Sequence, residues 1–284
     1  MKNKELSIII LNYNTRDLLV DCVNSIVKNT KGISYEIVVC DNASTDDSIE
    51  AISRLGLGNT LKIVRNEGNL GFAKGNNRAK KVVAGEYILF LNSDTTVPAG
   101  TLKKSLDYLR ANKDIGALGV KTVLPDGSLD RDARRSFPSP WVSLTHFSGL
   151  DRVFPKSKLF ARYWYGYRSG NMIQDVESLQ GAFFLIKKDL LNRIGWFSEE
   201  YFLDGEDIDL SWKVRQAGYR VVYYPEVYIN HIKKATKKLR AKSIGEGVNS
   251  MEIFYRKHMW SRYPLVLNWM VVIGIRLVKL LRSI

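Results

Sequence analysis

The sequence predicts an α/β fold, with a mostly parallel sheet flanked by helices and a helical extension at the C-terminal end. Three observations lead there. Short apolar runs rich in β-branched residues alternate with helix-periodic segments through the first half. Polar, mostly acidic residues follow three of those runs directly. The charge is also lopsided: of a net +14, the stretch from Lys233 to Ile284 carries twelve Lys or Arg against two Glu, so the body before it is near neutral.

The runs Leu6–Leu11, Glu36–Cys40, Leu61–Val64 and Tyr87–Leu91 are too short for helices and read as buried parallel strands. Between them Leu18, Leu19, Cys22, Val23, Ile26 and Val27 recur at helical spacing. Ser44–Leu55 and Ala73–Val83 read as further helices, and Pro98 as the first turn of another. Such alternation implies right-handed βαβ units, whose ligands bind beyond the carboxyl ends of the strands. Lys121–Leu179 is irregular and aromatic, and reads as a covering or acceptor-binding segment. Ala182–Ile186 and Tyr219–Tyr224 read as strands, with a helix from Glu206 to Gln216 that ends at Gly218.

A hydrophobic fraction of 45% and an aromatic fraction of 11% exclude a disordered chain. Cys22 and Cys40 lie in apolar runs without metal spacing and read as buried, reduced core residues, which suits a cytosolic compartment. The first apolar run is too short for a signal peptide.

The chemistry gathers at strand ends. Asn12-Tyr13-Asn14 follows the first run, Asp41-Asn42 opens the loop after the second, and Asn92-Ser93-Asp94 follows the fourth. One such loop is an ordinary turn with a helix cap, whereas three on one rim point to a ligand site. Asp94, with Asn92 beside it, can hold a hard cation such as Mg²⁺ or Mn²⁺. Asp204-Gly205-Glu206-Asp207-Ile208-Asp209 places four carboxylates in six positions at a helix start, near Trp212. Helix-dipole preference accounts for one or two of them, and four repel unless they share a proton or face a cation or substrate. A carboxylate there suits a base that takes a proton from a hydroxyl. His231, after the strand-like Tyr-Ile-Asn, can complete a metal site with Asp94. The stretch GNLGFAKGNN fits neither the dinucleotide fingerprint nor the P-loop, which argues against a nicotinamide dehydrogenase and a P-loop kinase. Its glycines allow close backbone approach to a ligand, and Lys74 or Arg78 can meet a phosphate.

Taken in order, SIIILNYN, VVCDNASTDDS, NEGNLGFAKGNN, YILFLNSDTTV, LQGAFFLIKK and GWFSEEYFLDGEDIDLSWKVRQAGY resemble the family 2 inverting glycosyltransferases, from about Leu6 to His231. The pattern is similar to that of a bacterial rhamnosyltransferase subgroup that builds cell-surface polysaccharide. The resemblance implies a GT-A fold, a Rossmann-like sheet with a donor-binding half at 1–115, an acceptor-binding and catalytic half at 116–232, and a basic amphipathic tail at 233–284. It implies Asp41 accepting from the N3–H of uracil or thymine, with Asn12, Tyr13, Asn14 and Asn42 around the nucleoside. Lys74, Asn76, Asn92 and Ser93 would complete the donor site. Asp94 and His231 would bind the divalent cation, Asp207 would be the general base, and Glu206, Asp209 and Trp212 would meet the acceptor. Asn92 stands where many relatives carry the first aspartate of a D-x-D motif.

The expected reaction is transfer of rhamnose from dTDP-rhamnose to a saccharide, lipid-linked or free. The rivals are UDP-GlcNAc, UDP-GalNAc, UDP-galactose or GDP-mannose as donor, and a non-catalytic scaffold that binds membrane or nucleic acid. The acidic cluster and the lack of aromatics interleaved with the basic run argue against nucleic acid. Only thirteen uncharged residues separate Arg262 from Arg276, short of the roughly 20 needed to span a bilayer. The tail is therefore expected either to lie on the anionic inner face of the cell membrane, making the protein cytoplasmic and peripheral, or to pack on the core.

Overall fold

The computed structural model describes residues 4–233 and 240–282. In chain order its elements are β1 (Leu6–Asn12), α1 (Arg16–Asn29), β2 (Tyr35–Asp41), α2 (Ser48–Ser53), β3 (Leu61–Arg65), α3 (Gly71–Asn77), β4 (Tyr87–Asn92), β5 (Thr95–Thr96), α4 (Thr101–Ala111) and β6 (Ile115–Val123). There follow β7 (Arg134–Arg135), α5 (Pro140–Phe147), α6 (Leu150–Val153), β8 (Gln174–Asp175), β9 (Ser178–Leu179), β10 (Phe183–Lys187), α7 (Lys188–Ile194), α8 (Glu206–Gln216) and β11 (Arg220–His231). Two helices close the chain, Arg240–Phe254 and Leu265–Arg282.

The main sheet runs β3-β2-β1-β4-β10-β6-β11-β5, with β8 beside β11. The first four strands and the β6–β11 pair are parallel, whereas β10 lies antiparallel between β4 and β6. Alternate residues of β1 serve opposite cores: Ile8 and Ile10 enter one cluster and Ile9 the other, which is why the run shows no polar face. A third cluster joins α8 to the two C-terminal helices through Trp212, Phe254, Val272 and Ile275.

Several boundaries differ from the expected ones for visible reasons. The helix expected at Ser44–Leu55 is only α2, because Ser44 and Asp46 bond neighbouring groups across the preceding loop and Ala43 and Asp47 take left-handed φ values of 58° and 57°. The helix expected at Ala73–Val83 starts earlier as α3 and tightens into a 3₁₀ turn, Arg78–Lys81. Pro98 lies before α4 rather than in its first turn, and Gly100, at φ 81°, precedes Thr101. The strand expected at Tyr219–Tyr224 runs on through an irregularity between Tyr224 and Tyr228, so His231 is its last residue. Both cysteines are free and buried.

The C-terminal helix packs on the core along the face carrying Asn268, Val272 and Ile275. Asn268 accepts from Tyr255 Oη at 2.7 Å and donates to the carbonyls of Trp260 and Tyr263. Among the described residues no helix is long and apolar enough to cross a membrane. Most of the basic run Lys233–Lys242, and Ser283, lie outside the described residues.

Candidate active site

Parallel pairing sets three loops on one rim: Asn12 is opposite Asp41 across β1–β2, and Leu11 is opposite Asn92 across β1–β4. Asp41, 3% exposed, accepts at Oδ1 from Asn12 Nδ2 (2.8 Å) and Ser44 Oγ (2.6 Å), and at Oδ2 from the Ser44 amide (3.0 Å). A carboxylate has about four lone-pair sites, so a rigidly held Oδ2 keeps one for a further donor. Asn14, at φ 53°, pins the same loop by accepting from the Thr45 amide at 2.8 Å. Tyr13 is half-buried beside it. Thr15 Oγ1 lies 3.0 Å from Ser93 Oγ, linking the first loop to the third.

Other expected donor residues serve the fold. Asn42 is buried and bonded to Asn66, Asn69 and the Gly71 carbonyl. Asn76 is buried and donates to the Phe72 carbonyl in its own helix, and Lys74 is exposed on α3. The glycines of GNLGFAKGNN also face protein rather than ligand. A Cβ on Gly71 would stand 2.3 Å from the Phe202 carbonyl oxygen, and one on Gly75 2.6 Å from Leu11.

Asp94 and His231 meet. His231 Nε2 is 3.1 Å from Asp94 Oδ1, and its Nδ1 stands 3.5 Å from Asp130 Oδ2. Lys233 then bridges Asp130 (2.9 Å) and Asp132 (3.0 Å). Burial opposes a charge on His231, but Asp130 and Asp94 outweigh it and push the imidazole up to about 9. Asp94 Oδ2 is buried without a hydrogen-bond partner among the described residues. No group of three His, Cys, Asp or Glu there is arranged to hold a metal. An orphaned carboxylate oxygen beside an imidazole nonetheless fits a hard divalent cation that takes one or two protein ligands and completes its shell with phosphates.

The acidic cluster divides in two. Left-handed Asp204 (φ 65°) and Gly205 (φ 87°) turn the chain into α8, and Glu206 and Asp207 face the cavity. Asp207 Oδ2 accepts from Arg135 Nη2 at 2.6 Å and from the Gly181 amide at 2.9 Å, while Oδ1 is buried with no partner among the described residues. Burial first, then the charges of Asp207 and Asp204, raise Glu206 well above the ordinary carboxylate range.

Asp209 and Trp212 point the other way, which corrects their expected acceptor role. Asp209 is fully buried, with Ser198, His258, Lys213 and Lys257 on its two oxygens. Trp212 packs against Phe137, Phe254 and His258 under the Arg262 guanidinium. Asp209 lies two residues beyond Asp207 in α8, about half a turn round the helix, and so faces away from it.

The cavity has two compartments that share Asp132, Gln180, Asp204 and Asp207. One, of ≈ 360 Å³, is walled by Asn92 and His231; the other, of ≈ 390 Å³, by Arg135, His146 and Tyr163. The family model for Glycosyl transferase family 2 matches residues 7–195. The chain belongs to this family. Among curated family relatives, the N-acetylglucosaminyl-diphospho-decaprenol L-rhamnosyltransferase of Mycobacterium tuberculosis is 28% identical over 244 residues, 81% of this chain and 78% of that one. The O-antigen biosynthesis protein RfbC of Myxococcus xanthus is 23% identical over 84% of this chain, which spans only 18% of that protein. Another relative, protein y4gI of Sinorhizobium fredii, is 24% identical over 91% of this chain and 28% of its own length.

Two solved structures show the GT-A fold. GalNAc-T7 with UDP, GalNAc and Mn²⁺ has a TM-score of 0.63 at 16% identity, over 89% of this chain and 48% of that one. The mannosyltransferase PcManGT of Pyrobaculum calidifontis, with GDP-Man and Mn²⁺, has a TM-score of 0.59 at 22% identity, over 88% and 64%.

Arg135, Asp130, Asp132, Gln180 and Gly181 escaped the sequence reading. The β7–β9 ladder sets Arg135 opposite Ser178 and so brings it to α8. The LQGAFFLIKK motif contained Gln180 and Gly181, but nothing in it linked them to a carboxylate 26 residues on.

Proposed function

We propose that this glycosyltransferase moves rhamnose from dTDP-rhamnose, with inversion, to a lipid-linked saccharide in cell-surface polysaccharide synthesis, with Asp207 as the base. The observation that carries the reading is Asp207 itself: it lines both compartments, one oxygen is clamped by Arg135 and Gly181, and the other is buried with no hydrogen-bond partner among the described residues. A sugar donor in the His231 compartment and an acceptor in the His146 compartment would then meet across that oxygen.

In this mechanism Asp41 and Asn12 hold the pyrimidine nucleoside. Asp94 and His231 are the residues that would hold Mn²⁺ or Mg²⁺, which when bound neutralises charge on the departing diphosphate. Asp207 Oδ1 takes the proton of the acceptor hydroxyl as that oxygen attacks the anomeric carbon from the face opposite the leaving group. Arg135 keeps the carboxylate oriented, and Glu206 lines the same cavity. A single displacement inverts the centre and needs no covalent intermediate. In this scheme the donor half is 1–115, the acceptor and catalytic half 116–232, and the tail from 233 holds the protein on the cytoplasmic membrane face. The exposed apolar residues of the Leu265–Arg282 helix support that placement.

The test is nucleoside diphosphate release from a panel of dTDP-, UDP- and GDP-sugars, with Mn²⁺ or chelator and with a lipid-linked GlcNAc acceptor. Chelator-sensitive release from dTDP-rhamnose alone supports the reading. Release from a UDP-sugar keeps the mechanism and discards rhamnose, because uracil and thymine offer Asp41 the same N3–H. No turnover with any donor overturns the proposal.

A further inference from the structure

Beside the catalytic cavity an apolar groove of ≈ 530 Å³ runs between α5 and the C-terminal helix. Trp141 and Leu144 form one wall and Leu267, Met270 and Val271 the other, and among the described residues none that is charged lines it. Leu144 and Met270 are 58% and 63% exposed, a costly arrangement in water for so many adjoining apolar groups. The groove adjoins the acceptor compartment, because Ser143, Phe147 and Met251 wall both. His146 lies between two of those shared residues and is held by Asp151 at 2.7 Å. Gly274 lines the groove in mid-helix, where glycine weakens the helix relative to alanine, and a Cβ built on it meets nothing within 4 Å. The space there is open.

The outward face of the same helix, with Val266, Trp269, Ile273 and Leu277, is also exposed and apolar, and it is flanked by Arg276 and Lys279, which bond Glu252 and Asn249 of the preceding helix. An apolar helix face with basic neighbours matches the border between anionic headgroups and hydrocarbon.

We propose that the groove holds the hydrocarbon chain of the lipid-linked acceptor, guiding it from the bilayer so that its saccharide reaches Asp207. The proposal rests on the lipid-linked reading of the acceptor and adds where the chain lies. A chain in the groove meets only apolar walls, and its path ends in the compartment where the sugar must sit.

The test uses the full chain with two substitutions. Gly274→Leu fills the groove from open space and favours the helix, and Leu144→Ser thins its exposed rim with little burden on folding. The probe is farnesyl diphosphate, a water-soluble prenyl diphosphate, titrated calorimetrically beside the donor nucleotide. Transfer to a saccharide diphosphate on a long prenyl chain is compared with transfer to the same saccharide on a short alkyl chain. Both variants are expected to bind the prenyl probe about tenfold more weakly, as when two methylenes lose their burial. They should lose long-chain transfer alike, with nucleotide binding and short-chain transfer unchanged. Wild type that ignores the probe, or variants that bind it like wild type, overturns the proposal and leaves the transferase reading standing. Variants that only turn a dimer into a monomer assign the groove to a second copy and overturn it too. Groove-dependent probe binding without transfer to any lipid-linked saccharide upholds the groove and rejects the lipid-linked acceptor.

Discussion

Replacing Asp207 by Asn separates the chemistry of this carboxylate from its structural work. The Arg135–Asp207 contact is 2.6 Å between side chains only 12% and 9% exposed, so water and salt screen it little. Removing one partner of such a buried pair costs about 3–5 kcal/mol, because the other charge stays buried. The low end applies here, since Asp132 also holds the Arg135 charge and an asparagine oxygen can still accept from Gly181. We therefore expect Asp207→Asn to lose about 3 kcal/mol in urea unfolding. Its single-turnover rate should fall about 10²–10⁴-fold, the usual worth of a general base. The double variant Arg135→Met with Asp207→Asn carries no orphaned cation and should regain most of the stability. It should regain none of the rate. If turnover returns with stability, or if Asp207→Asn keeps wild-type rates, Asp207 is a structural anion and the base lies elsewhere.

Three further outcomes follow from the same geometry. Asp94→Ala should abolish the gain in donor-nucleotide affinity that Mn²⁺ confers in calorimetry and leave the metal-free affinity unchanged; a persisting Mn²⁺ effect would place the cation elsewhere. Trp212→Ala should cost about 3–5 kcal/mol by emptying the joint between α8 and the C-terminal helices, with acceptor KM unaltered, and a raised KM would return Trp212 to the acceptor site. Glu206 retains its proton in the fold above the pH at which the unfolded chain releases it, so the native state binds more protons and stability falls as pH rises past the ordinary glutamate value of 4.5. Glu206→Gln removes that slope, so its stability advantage over wild type in urea unfolding should grow from pH 4.5 to 7.5; a constant difference would show that Glu206 ionises normally.

Much of the sheet could be read from the sequence because buried parallel strands need unbroken apolar runs, and β1, β2 and β4 have them. Helix starts were less legible. Around the Asp41–Asp47 loop the Asp41 and Asp46 carboxylates accept from the backbone amides of Ser44 and Arg16, an option aspartate offers in any conformation. At the site, Asp41, Asp94 and Asp207 were readable because each follows a strand or opens a helix, positions where a buried carboxylate demands a reason. Arg135 was not, since a guanidinium in a short irregular strand has no local pattern. Its partner is set by the β7–β9 ladder, a contact between segments more than 40 residues apart.

The C-terminal helix shows why one expectation divided into two. Its apolar residues cover most of its circumference, so periodicity could not choose between core packing and a membrane surface. The structure gives each option its own face. Asn268 is buried with all its hydrogen bonds internal, which ties the helix to Tyr255 and the π-helical turn Tyr255–Met259. That same turn sends His258 and Lys257 to Asp209, one helical turn from the active-site carboxylates. Contacts thus run from the C-terminal helix through Asn268, the turn and Asp209 to the start of α8. Charge-paired Asp209 holds α8 on one face while Arg135 holds Asp207 on the other. Loosening the tail at Asn268 should therefore disturb the position of Asp207 before it disturbs the loops that follow β1 and β2.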